Sequence, residues 1–210
     1  AEAGRRLDSL GDPRPGVGVL ANGLPDIAWG KPLLPGVYPL GHEDEGDNPP
    51  REFELTYSYR LSKYPMTYRQ FEAFVTADDG FKDPRWWEGL AASAEHRDAS
   101  GEQKFKYWNH PRENVSWYDA MAFCRWLSWR LTGRCYGLDE IEAWPVRLPT
   151  ENEWEIAARG EDGRLYPYES EFDARKDNVE GTGIRMTSAV GIFPDGASPC
   201  GLLDMSGNVL

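Results

Sequence analysis

The side chains best suited to nucleophilic, redox or metal chemistry are sparse in this chain, and their spacing limits what they can do. Cys124, Cys135 and Cys200 are too few and too scattered for a disulfide framework or a CxxC metal site, and at least one is unpaired within the chain. Cys124 falls inside a helical pattern and reads as a small core hydrophobe. Cys200 sits in a Pro-Cys-Gly turn and reads as the exposed, modifiable thiol. His42, His96 and His110 show no HxxxH or HExxH spacing, so they do not form a histidine-built metal site. The densest acids lie in "LPTENEWEIAARG" (148–160), where Glu151, Glu153 and Glu155 surround Trp154. Thr150 and Glu153 have capping-box spacing, the acids crowd a first turn where the helix dipole favours negative charge, and Gly160 supplies the stop. Trp154, Ala157 and Ala158 share one face, so the cluster reads as scaffold before chemistry.

The elements that would position these groups follow from periodicity. The first fifty residues are rich in Gly and Pro and predict loops and short extended pieces, with residues 1–29 an irregular N-terminal segment. Phe53, Leu55, Tyr57, Tyr59 and Leu61 alternate with polar residues and predict a strand over 53–61. Thr67 with Gln70, Ser116 with Asp119 and Thr150 with Glu153 open helices near 68–76, 117–131 and 151–159. In the second helix, Ala120, Phe123, Cys124, Leu127 and Leu131 form the apolar stripe, and Gly133 closes it. Trp126 and Trp129 lie off that stripe and need another surface. The polar stretch between the first two helices carries Trp86, Trp87, Phe105, Tyr107 and Trp108, and is too aromatic for a disordered linker. The sum is an α+β domain of low regularity.

With 210 residues, 40% of them hydrophobic and 13% aromatic, the chain can bury one sizeable core. Its net charge of -12 argues against nucleic acid or anionic membrane surfaces as partners. No run reaches the length of a membrane-spanning helix, and "AEAGRRLDSL" has no signal-peptide core.

The order of motifs is more specific than any one of them. "SKYPMTYRQFEAFV", "NHPRENVSWYDAMAFCRWLSWRLTG", "VRLPTENEWEIAARGEDGRLYPYESEF" and "TSAVGIFPDGASPCGLLDMSGNV" together resemble the formylglycine-generating enzyme (sulfatase-modifying factor) family over residues 30–210. The resemblance implies an elaborated C-type-lectin-like fold with little regular secondary structure. In that family the Gly-Asn of a segment like Ser206–Val209 runs on into a Trp-Glu-Trp stretch and a C-terminal core, which here fall beyond Leu210. The oxidase members hold copper with two cysteines of that later part, and none of the three cysteines here has a matching position. The resemblance therefore implies no copper site within this chain. It also implies calcium, held by asparagine and backbone carbonyls, at Asn178 and Val179 of "DNVEGTG".

Two functions compete. One is a non-catalytic ligand-binding or display domain, like the variable proteins of diversity-generating retroelements, with Trp126, Trp129 and Trp108 as binding residues for a protein or small-molecule ligand. The other is part of a copper-dependent oxidase that converts a substrate cysteine to formylglycine, which requires a second chain or segment supplying the C-terminal half.

Overall fold

The computed structural model describes residues 2–43, 46–169 and 171–209. Its elements, in chain order, are α1 (Glu2–Leu10), β1 (Gly36–Leu40), β2 (Arg51–Leu55), α2 (Tyr68–Thr76), α3 (Ala94–Asp98), α4 (Trp117–Thr132) and α5 (Glu151–Arg159), with short 3-10 turns between them. The fold is α+β, as the sequence predicts. No helix among the described residues is long and apolar enough to cross a membrane.

All three predicted capping boxes are formed: Thr67, Ser116 and Thr150 each accept the backbone N–H three residues on, and Gln70, Asp119 and Glu153 answer from their side chains. Each satisfies orphan donors of a first turn. Gly133 then ends α4 in the left-handed conformation, with φ 74°.

The core has two parts. One gathers α2 and α4 with the aromatic stretch between them, including Phe71, Phe74, Trp86, Trp87, Phe123 and Trp126. The other lies between the sheet and α5, and contains Tyr38, Leu40, Leu55, Ile156, Ala157, Cys200 and Leu202. Burial reaches almost all round the middle of α4, from Met121 to Ser128, so its apolar stripe is wider than the periodicity predicts. Leu131, expected on that stripe, is 54% exposed past the end of the packed region.

Two expectations about regular structure are corrected. The strand predicted over 53–61 is paired only over Arg51–Leu55, antiparallel to Gly36–Leu40. Beyond it, Tyr59 meets Leu33 and Ser62 meets Trp29 in isolated bridges. Pro32 and Pro35 flank that partner stretch, and a proline has no N–H to give a ladder. The N-terminal segment, expected to be irregular, opens with α1, which docks through Gly4: Asn109 Nδ2 donates to the Gly4 carbonyl at 2.9 Å. A Cβ at Gly4 would lie 2.6 Å from the Ala189 methyl, so this approach needs glycine.

Candidate functional site

A cavity forms on the outer side of α5, and the reason lies in how that helix is held. Glu153 is 1% exposed and points inward. Its carboxylate accepts two hydrogen bonds from Arg147, at 2.6 and 2.7 Å, one from the Thr150 N–H at 2.7 Å and one from the Tyr57 hydroxyl at 2.9 Å. Burial alone would raise its pKa, and these donors more than reverse that, holding Glu153 below the usual carboxylate range. Glu155 is likewise buried, takes the Gly41 N–H at 2.7 Å and pairs with Arg159. The two acids read as scaffold are therefore the anchors of the helix.

Trp154 faces the other way. Expected on a shared face with Ala157 and Ala158, it is 46% exposed, while Ile156 and Ala157 enter the core. The reason is angular: anchoring Glu153 and Glu155 to Arg147 and Gly41 turns the residue between them outward. Glu151, Trp154 and Ala158 then floor a groove of ≈ 920 Å³ whose walls include Tyr64, Leu165, Met205 and Val209, with Asp204 at one side. Such a volume lies within the range of small-ligand pockets.

Beside the groove, the turn at 204–208 packs on the Asn178 loop. Asp204 and Asn208 both have positive φ, 58° and 71°. The Asn208 N–H donates to the Asn178 carbonyl at 2.9 Å, and the Asn178 amide donates to the Met186 carbonyl at 2.9 Å and to Asn208 Oδ1 at 3.1 Å. The Val179 carbonyl accepts from the Thr182 N–H and hydroxyl, at 3.0 and 2.7 Å, which occupies both of its lone pairs. The Val179 carbonyl is thus committed within its own loop, and the Asn178 amide nitrogen is held, while Asn178 Oδ1 has only the Thr182 hydroxyl at 3.4 Å. A further open oxygen donor is the neighbouring Asp177, not singled out from the sequence: both of its carboxylate oxygens are buried without a hydrogen bond of normal geometry. Burial raises its carboxyl, and nearby Tyr168 and Ser206 offset this in part. Asp204 accepts the Gly191 N–H at 2.6 Å, and burial pushes its carboxyl up to about 6.

The three tryptophans expected to bind ligand are not brought together on one exposed face. Trp126 is 1% exposed, packs on Phe74 and Phe123, and donates its indole N–H to Asp79 at 3.1 Å, so it is a core residue. It lies off the predicted stripe because the 79–90 loop covers α4 on that side. Trp129 is half-buried, and the Arg85 guanidinium lies 4.6 Å from the Trp86 ring centre and 4.8 Å from that of Trp129. Trp108 is exposed but stacked on Tyr68, ring centres 4.8 Å apart, and the cavity beside it is only ≈ 10 Å³.

The cysteines are equally dispersed. Cys124 belongs to the helical core and Cys200 to the cluster under the sheet. Burial pushes the Cys124 thiol up to about 12. Cys200, expected to be exposed, is buried, because its thiol turns inward to donate to the Ala157 carbonyl at 3.2 Å. Cys135 is the exposed one. Among the described residues no group of three His, Cys, Asp or Glu side chains is placed to hold a metal ion.

Comparison with known proteins shows the family and the fold. Residues 32–210 match the family described as sulfatase-modifying factor enzyme 1-like domain. Similar curated proteins include the hercynine oxygenase of Mycolicibacterium smegmatis, 26% identical with 90% of this chain and 46% of that protein covered. The formylglycine-generating enzyme of Thermomonospora curvata is 28% identical over 88% of this chain and 70% of its own length. The inactive C-alpha-formylglycine-generating enzyme 2 of Mus musculus is 27% identical, covering 79% and 60%. Among solved structures, Treponema denticola variable protein 1 superposes with a TM-score of 0.61 at 23% identity, over 86% of this chain and 70% of that one. The chain spans less than half the length of the hercynine oxygenases it matches.

Proposed function

We propose, from the premise that this chain belongs to the sulfatase-modifying factor enzyme 1-like domain family, that it is a non-catalytic ligand-binding or display domain whose binding face is the groove on α5. The observation that carries the reading is that groove: ≈ 920 Å³, open, floored by an exposed tryptophan on a helix clamped from behind. A rigid floor with irregular loops as walls suits recognition. The fold shared with a protein named for its variability is in keeping with display.

The dispersal of the thiols also supports binding over oxidation. Copper in an oxidase of this kind needs two thiolates on one ion, and Cys124 and Cys200 lie in separate core clusters. The alternative, one part of a copper-dependent formylglycine-generating oxidase, draws on the likeness to the enzyme of Thermomonospora curvata. On that reading the catalytic cysteines come from further polypeptide, in this protein or in a second chain.

Calcium at the loop beside the groove belongs to the proposal, with Asp177 as its first oxygen donor in place of the committed Val179 carbonyl. A melting temperature that rises with calcium chloride, returns with chelator and ceases to respond in Asp177→Asn supports this. An unresponsive wild type removes calcium from the account.

The groove itself is tested by NMR titration with phenol as a small apolar probe. The Trp154 indole and Met205 methyl resonances shift first if the groove is the binding face. Shifts confined to Trp108 or Trp129 would move the site to the surface of α2 or α4.

A further inference from the structure

Within the reading of the groove as a ligand site, on which this inference rests, the charges left over in its lining identify a ligand class. Glu155 and Arg159, both in the lining, are paired with each other. Glu151 makes no ion pair among the described residues, although it stands on the exposed first turn of α5. Asp204 has one oxygen on the Gly191 N–H, lies near the Asn208 side chain and the Arg14 charge, and makes no ion pair within 4 Å among the described residues. Arg14 is too occupied to serve: its guanidinium holds Asp12 at 2.6 Å and the Val190 carbonyl at 2.7 Å. Among the described residues the groove therefore presents two carboxylates, Glu151 and Asp204, that make no ion pair.

Trp154, three residues on from Glu151 along α5 and 46% exposed, lines the same groove as both acids. An indole face beside carboxylates attracts an ammonium or guanidinium group through both its quadrupole and the neighbouring charge, and repels an anion. Leu165, Met205 and Val209 line the same space and give an apolar stem a surface to lie on. The net charge of -12 steers such a ligand inward over a longer range.

We infer that the groove takes an organic cation on an apolar stem, a primary ammonium or guanidinium group, seated between the Trp154 indole and the Glu151 and Asp204 carboxylates. The cation can belong to a free amine or to a Lys or Arg side chain of a polypeptide, and the shared chemistry is what the groove selects.

The test is calorimetric titration of the 210-residue chain at pH 7.5 with three probes of one shape: phenethylamine, 3-phenylpropionamide and 3-phenylpropionate. A second arm compares acetyl-Phe-Arg-Phe-amide with acetyl-Phe-Glu-Phe-amide. The expected order is amine over amide over carboxylate, with the amine at least roughly tenfold tighter than the carboxylate. Glu151→Gln and Asp204→Asn each weaken the amine about three- to tenfold, and Trp154→Ala by more. Asparagine tolerates the positive φ at 204 and can keep the bond to Gly191, so the variant should fold. Tighter binding of the Arg tripeptide than of the amine assigns a polypeptide source, and the reverse a free amine. Equal binding of amine and carboxylate, still lost in Trp154→Ala, overturns the cation while leaving the groove as a site. No effect of either acid variant overturns it as well. No binding of any probe overturns both the cation and the groove.

Discussion

Arg147 grips Glu153 with both of its terminal nitrogens, 2.7 and 2.6 Å from the two carboxylate oxygens, at the capped first turn of α5. One carboxylate thus closes the capping box, holds a buried ion pair and takes the Tyr57 hydroxyl. Together with the Glu155 contacts to Gly41 and Arg159, that clamp fixes the rotation of α5 that leaves Trp154 outward. Thr150→Ala removes only the cap and should cost about 1 kcal/mol. Arg147→Ala leaves Glu153 buried and unpaired and should cost roughly 3–5 kcal/mol. Urea unfolding of both variants checks the ranking; equal losses would mean the ion pair does not hold the helix.

His110 is 1% exposed, with Nδ1 2.9 Å from the Thr187 hydroxyl and Nε2 without a partner. Burial, and after it the charge of Arg5, bring its pKa down to about 4. The folded state therefore binds fewer protons than the unfolded chain between about pH 6.5 and 4. Its stability contribution is full above 6.5 and falls as the pH drops through this window, by up to about 3 kcal/mol. Asp204, raised to about 6, works in the opposite sense, so total stability is a poor readout. The difference between wild type and His110→Gln isolates the histidine and should shrink on acidification, and the His110 ring resonances should stay those of a neutral imidazole at pH 5. A ring that protonates near 6.5 would contradict the burial argument.

Thiol labelling separates the cysteines. Cys135 should react with a maleimide at once, while Cys124 and Cys200 should react only after denaturant is added, read by intact mass. Rapid labelling of Cys200 would mean that its bond to the Ala157 carbonyl is not kept in solution.

Trp126→Ala should destabilise the domain by about 3–5 kcal/mol, as expected for a buried aromatic. Trp108→Ala, stacked on the surface, should cost about 1 kcal/mol or less. Thermal unfolding decides; a cheap Trp126→Ala would return that residue to the surface role its sequence position suggests.

What the sequence makes legible is what three or four neighbouring residues decide. The pairs Thr67 with Gln70, Ser116 with Asp119 and Thr150 with Glu153 carry the helix starts, because a capping box is a local exchange of hydrogen bonds. Non-local choices are hidden. The end of β2 depends on prolines twenty-odd residues earlier, across the sheet. Cys200 reads as a turn thiol until the carbonyl of Ala157, on another element, draws it in. The groove has no local signature at all, since α5, the 61–65 stretch, the 165–167 loop and the 203–209 turn meet only in the folded chain.

The central proposal is that this chain, by itself, is a binding domain and not an oxidase. The purified chain is incubated with Cu(I), oxygen and a cysteine-containing peptide, and aldehyde is sought by mass. The account predicts no aldehyde, whether or not Cys135 and Cys200 are changed to serine, because the thiols present do not converge on one ion. Turnover by the wild-type chain that disappears on Cys→Ser substitution would contradict it.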